Sequence, residues 1–116
     1  MYDFLHPNSE IKSIEIVEIG LIDNNLPEPE QKNIRVIDDI ASFLNDFSKI
    51  DCFERRTNPS RPREGCALIK ITYNNKEYEL IDYNGQSVFR DGYYYAYSGW
   101  YSFDEDQFSA LVSKYS

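Results

Sequence analysis

From Cys66 onward, three β-like runs are separated by Asn74-Asn75, Asn84-Gly85 and Asp91-Gly92. This punctuation restricts the second half of the chain to an antiparallel meander. Asn-Gly and Asp-Gly supply the positive φ values of two-residue type I′ hairpins, and Asn-Asn is a weaker form of the same signal. Tight turns at all three places fix the register by counting. Ile71 then faces Tyr78, while Ile69 faces Leu80, which faces Phe89 and then Tyr94, giving a contiguous apolar face. On the opposite face Lys70 lies beside Glu79 and Glu79 beside Arg90. An acid flanked by two bases stabilises adjacent strands modestly, and a slip of one residue would set these charges among the aliphatics. The second face also carries Leu68, Ile81, Val88 and Tyr95 in one row, with Tyr83, Tyr93 and Tyr97 around them. Such a row needs a cover, from the N-terminal strand or from one helix on each face, or it is a contact surface.

The rest of the chain supplies the covering elements. Residues 1–10, with His6-Pro7-Asn8, read as a lead-in in which a lone histidine is exposed and inert. Ile14 and Ile16 alternate with Glu15, and then Val17, Ile19 and Leu21 continue on the other parity. That change predicts a bulge near Ile16-Val17 or a strand covered on both faces. An acidic, proline-broken loop runs from Asp23 to Glu30, and Ile34 and Val36 suit a short strand. A helix starts at Asp38 or Asp39, whose carboxylates suit an N-cap, with Ile40, Phe43, Leu44 and Phe47 as its buried stripe. Trp100, Tyr101 and Phe103 suit a further strand. The final helix has Asp104 and Gln107 as a capping box, Phe103 and Phe108 as a hydrophobic staple, and Phe108, Leu111, Val112 and Tyr115 as its stripe. It should dock on the face carrying Ile69, Ile71 and Leu80. The expected fold is a single α+β domain spanning 1–116. It comprises an antiparallel meander of four to five strands, an N-terminal strand, and two helices, about 38–48 and 105–115, packed on the sheet.

Length and charge limit what such a domain does. A chain of 116 residues buries roughly two-thirds of its unfolded surface, enough for a core. Twenty acids against twelve bases give a net charge of −8, which disfavours nucleic acid as a whole and favours a basic partner or simple solubility. Arg55, Arg56, Arg61 and Arg63 hold four of the twelve bases in an exposed loop, either solvated or poised for an anion. No apolar run is long enough to span a membrane. The opening Met1-Tyr2-Asp3-Phe4 lacks the regions of a signal peptide, which points to the cytoplasm unless a signal has been trimmed. Cys52 and Cys66 lack zinc-type companions and suit two free thiols better than one bridge.

No arrangement of residues predicts catalysis. Histidine-assisted nucleophilic chemistry would rest on His6 alone. The carboxylate groups Asp38/Asp39 and Asp104/Glu105/Asp106 are explained by helix capping. Calcium-loop order and glycine-rich phosphate loops are missing from the sequence. Neither a cofactor nor a metal is expected.

The most unusual stretch runs from Tyr93 to Phe103, where seven of eleven residues are aromatic. A strand turns only about half of its side chains toward one layer, so the surplus meets a second layer or a partner. Tyrosine and tryptophan are frequent interface anchors. Tyr93, Tyr95, Tyr97, Trp100 and Tyr101 are therefore candidate partner-binding residues, with Asp23, Glu28 and Glu30 as an acidic rim. The hairpin Tyr-Asn-Asn-Lys-Glu-Tyr and the ending Tyr-Ser-Phe-Asp-Glu-Asp-Gln-Phe-Ser-Ala-Leu-Val-Ser-Lys-Tyr resemble small bacterial domains of unknown function. Some of those are lipoprotein-borne, and others are similar to immunity proteins. The resemblance covers residues 66–116 and rests on turns, a cap and a helix stripe, so it transfers no active site. With the charge, it implies a non-enzymatic, acidic immunity or inhibitor-type protein that neutralises a basic partner such as a toxin. The alternative is a ligand-binding or sensor domain of a bacterial cell-surface protein.

Overall fold

The computed structural model describes residues 2, 4–20, 30–54, 65–83, 85–90, 93–96 and 101–115, with the backbone alone for 54, 85–90 and 93–96. Among these residues the fold is α+β, as expected. After a 3-10 turn at Asn8–Glu10 come β1 (Ile11–Ile19), β2 (Gln31–Val36), α1 (Ile40–Phe47), β3 (Cys52–Glu54), β4 (Ala67–Tyr73), β5 (Tyr78–Asp82), β6 (Gly85–Arg90), β7 (Tyr93–Ala96), β8 (Tyr101–Phe103) and α2 (Glu105–Lys114). Six strands form an antiparallel sheet in the order β2-β1-β4-β5-β6-β7, and β3 pairs with β8 in a separate two-stranded sheet. The strand expected around Trp100–Phe103 thus lies beside β3 instead of extending the meander.

Both helices begin where local chemistry places them. The Asp39 carboxylate accepts from Ser42 N at 3.0 Å, and the Asp104 carboxylate accepts from Gln107 N at 2.9 Å, satisfying amides that lack a partner in the first helical turn. Phe103 and Phe108 form the staple, with ring centroids 5.8 Å apart. Half of the expected capping box is redirected. The Gln107 amide turns to Asp51, accepting from its N–H at 2.7 Å and donating to Oδ2 at 3.0 Å, which ties α2 to the start of β3.

One core holds both helices against one face of the sheet. Phe43, Phe47, Phe108 and Leu111 pack there with Ile14, Ile16, Ile69, Ile71 and Ile81. The four isoleucines Ile14, Ile16, Ile69 and Ile71 are fully buried, each contributing about 1.5–3 kcal/mol. The opposite face holds a smaller buried cluster of Val17, Ile19, Leu68, Tyr78 and Leu80. The parity change in β1 has the second of the suspected causes, a cover on both faces, since β1 itself pairs with β4 without a break from Ser13 to Glu18. The strand is buried on both faces, and its register with β2 shifts between Ile16 and Glu18. The extra residue sits on β2, where Asn33 adopts φ +52°, a conformation asparagine tolerates.

The β4–β5 register differs from the expected one by one residue: Ile69 pairs with Ile81, Lys70 with Leu80, and Ile71 with Glu79. The turn causes this. Tyr73 N donates to Glu77 O and Lys76 N to Tyr73 O, both at 2.9 Å, so three residues, Asn74–Lys76, form the loop. Lys76 takes φ +73°, which makes this a type I turn closed by a left-handed residue. Leu80 therefore moves off the helix-covered face, Ile81 moves onto it, and Glu79 is carried in with Ile81. The next turn shifts by two residues, because Gly85 already pairs with Asp82, and Val88 instead of Arg90 stands opposite Glu79. The Lys70–Glu79–Arg90 ladder does not form. The last register, Phe89 with Tyr94, is as counted.

A left-handed non-glycine residue costs about 1 kcal/mol. Lys76→Gly should accordingly stabilise the domain by roughly that amount in urea denaturation. In a two-residue Asn74-Asn75 turn Lys76 would be extended and the same change would destabilise, so a loss of stability contradicts the observed register.

Candidate functional site

The register shift leaves a carboxylate inside the core. Glu79 has no solvent exposure, and an unpaired buried carboxylate is not tolerated. Three donors meet it. The Tyr2 hydroxyl donates to Oε1; Leu5 N donates to Oε2 at 2.9 Å, and the Tyr73 hydroxyl donates to the same oxygen at 2.5 Å. Burial pushes the Glu79 carboxyl above its usual 4.5, and the hydrogen bonds from Tyr2, Tyr73 and Leu5, with the nearby His6, oppose that push. Burial and the adjacent carboxylate also drive the Tyr73 hydroxyl well above its usual 10.0.

Two of the three donors come from the N-terminal segment, so Glu79 works as a clamp on Tyr2 and Leu5. His6 extends the clamp. Its Nε2 lies 2.6 Å from Glu77 Oε1, and its ring meets the Tyr73 ring edge-on at 4.8 Å. His6 is thus packed and partnered, not the loose, inert side chain its sequence context suggests. The cluster has the residue types of acid–base chemistry, with His6 and Glu77 partly exposed at its edge. Its central carboxylate is sealed, and both of its oxygens accept from the protein's own donors, so Glu79 holds structure.

The clamped segment forms one wall of a cleft of about 360 Å³. Tyr2, Phe4, Phe47 and Phe103 line it as one packed cluster of rings, with Leu44, Ile50 and Cys52 completing the apolar lining. The rings interlock. Tyr2 lies edge-on to Phe4 at 4.9 Å and to Phe47 at 5.6 Å, geometries each worth about 0.5–1.5 kcal/mol beyond area burial. Asp51 and Lys49 stand at the mouth. Asp104 N donates to Asp51 O at 3.1 Å, which brings the first turn of α2, with exposed Glu105 and Asp106, beside Asp51.

The sequence-derived candidates are dispersed. Tyr101 is half-buried, with its ring 5.5 Å from Tyr2 behind the cleft wall. Glu30 is exposed at the entry to β2. Tyr93 and Tyr95 lie on β7 with their backbone alone described, and Asp23, Glu28, Tyr97 and Trp100 lie outside the described residues, as does the arginine loop. Cys52 and Cys66 are both half-buried. Among the described residues no cluster of three or more metal-ligating side chains occurs, and no helix is long and apolar enough to cross a membrane. No protein-family model, curated protein or solved structure matches the chain. Sequence reading missed Tyr2, Tyr73 and Glu79. The only available signal was Glu79 itself, an acid set between Tyr78 and Leu80.

The direction of the Glu79 shift sets a pH dependence. The native protein keeps the proton at pH values where the unfolded chain has released it, so stability falls as pH rises from 4.5 through the raised native value. Glu79→Gln can still accept from Leu5 N and donate to a tyrosine hydroxyl without burying a charge. It should be more stable than the parent at neutral pH and lack this slope. Glu79→Leu orphans the donors and should lose at least about 2 kcal/mol. Chemical denaturation across pH measures both, and a Glu79→Gln protein with the parental slope contradicts the assignment.

Proposed function

We propose that the chain is a non-enzymatic protein-binding domain of immunity or inhibitor type that neutralises a basic protein partner. The observation that carries this reading is the charge of −8, together with the grouping of exposed Asp51, Glu105 and Asp106 where β3 meets α2. A field of one sign accelerates encounter with a partner of the other sign and suppresses wrong partners. In this reading Tyr93, Tyr95, Tyr97, Trp100 and Tyr101 serve as docking anchors, with Asp23, Glu28 and Glu30 as acidic rim. Phe53, 54% exposed on β3, is a further aromatic open to contact. The cleft supports a second reading, a ligand-binding or sensor domain, since its volume of about 360 Å³ falls within the range of small-molecule sites.

The test is capture from extract of the native host followed by calorimetry on the purified pair. A retained protein of basic isoelectric point, whose affinity falls about tenfold or more from low to high salt, is the expected result. Retention of acidic proteins only, or an affinity indifferent to salt, contradicts it.

A further inference from the structure

We infer that the cleft between the N-terminal segment, α1 and β3 is the docking site for an aromatic side chain flanked by lysine or arginine on the basic partner. This rests on the basic-partner reading and adds the place and the chemistry of contact. Three features on one surface carry it.

The first is the lining. Tyr2, Phe4, Phe47 and Phe103 present rings to the cleft, and an inserted ring can meet them edge-on or offset, as they already meet one another. The second is depth. Phe47 and Phe103 are 4% and 5% exposed, whereas Phe4, Leu44, Ile50 and Cys52 are half-buried. The cleft therefore has a buried floor and a partly exposed lip, the form in which aromatic anchors are desolvated at protein interfaces.

The third is charge. Asp51 lies at the mouth, and Glu105 and Asp106 stand exposed beside it, with Lys49 the one base among the described lining residues. Asp46, the next acid along α1, is engaged by Lys114 Nζ at 2.7 Å and by the Tyr115 hydroxyl at 2.6 Å. Asp51, Glu105 and Asp106 are exposed, and cations on either side of an inserted ring would meet them. Tyr2 in the cleft wall is held by Glu79, so this part of the site is formed before its occupant arrives, which lowers the ordering cost of binding.

The probes are three capped tripeptides, Lys-Trp-Lys, Glu-Trp-Glu and Lys-Ala-Lys, titrated into labelled protein and followed by amide chemical shifts. Lys-Trp-Lys should perturb Phe4, Phe47, Cys52 and Phe103. Glu-Trp-Glu should bind about fivefold more weakly or worse, and Lys-Ala-Lys should leave these amides unmoved. Leu44→Trp, which fills the cleft, should abolish the response. Glu105→Gln with Asp106→Asn, a surface change that leaves the core intact, should narrow the gap between the two tryptophan peptides. Lys-Trp-Lys shifts confined to another acidic surface overturn the cleft assignment and leave the basic-partner reading standing. Equal affinity for both tryptophan peptides assigns the cleft to an uncharged apolar ligand and overturns the inference. A Lys-Trp-Lys titration without any shift overturns it as well.

Discussion

A carboxylate withdrawn from water is tolerable only when its oxygens are saturated with donors. Glu79 meets this condition through the Tyr2 hydroxyl, the Tyr73 hydroxyl and the amide of Leu5. Tyr2 stands 77 residues away in sequence, so the register of β5 and the seat of the N-terminal segment are set together. With Glu79 facing the helix-covered side of the sheet, Tyr2 is drawn under α1 and β8, and its ring becomes both core and cleft wall. Magnitudes explain why this arrangement prevails over a surface charge ladder. Cross-strand ion pairs contribute about 0.2–1 kcal/mol each, whereas hydrogen bonds to a charged group contribute about 1.5–3 kcal/mol each. The desolvation of Glu79 takes back much of that gain, which is why its proton is held more tightly than in water.

The features that the sequence made legible are the local ones. Asp39 and Asp104 cap their helices because the carboxylate and the amide it serves lie three residues apart. Phe103 and Phe108 staple for the same reason. The α+β class, the meander and both helices followed from turn dipeptides and from periodicity. The β4–β5 register did not, because a three-residue loop ending in a left-handed lysine carries no glycine to announce it. One residue of loop length then decided which of Leu80 and Ile81 joined the main core. The clamp was illegible for a different reason. Its partners, Tyr2, Leu5 and Glu79, are brought together only by the complete sheet, and each alone reads as an ordinary residue.

The functional reading draws on the same geometry. The Glu79 carboxylate is sealed from solvent, and the cleft lined by its partner Tyr2 is open. Tyr2, held by Glu79, lines a cleft with Phe4, Phe47 and Phe103, and Asp51 of the same lining accepts through its carbonyl from Asp104 N at the start of α2. An acidic domain with a preformed aromatic recess is suited to selecting a basic partner by field and then by fit. The redirected Gln107 side chain binds Asp51, which lines the cleft, and so ties α2 to that residue.

One buried carboxyl holds the N-terminal segment in place. Carbon-13 NMR of the Glu79 side chain, titrated with acid while the Leu5 amide is followed in parallel, tests it most directly. The carboxyl should titrate above the usual 4.5, and the Leu5 amide should move with the same midpoint. A Glu79 carboxyl that titrates at or below the ordinary value, with the Leu5 amide unmoved, would contradict the account.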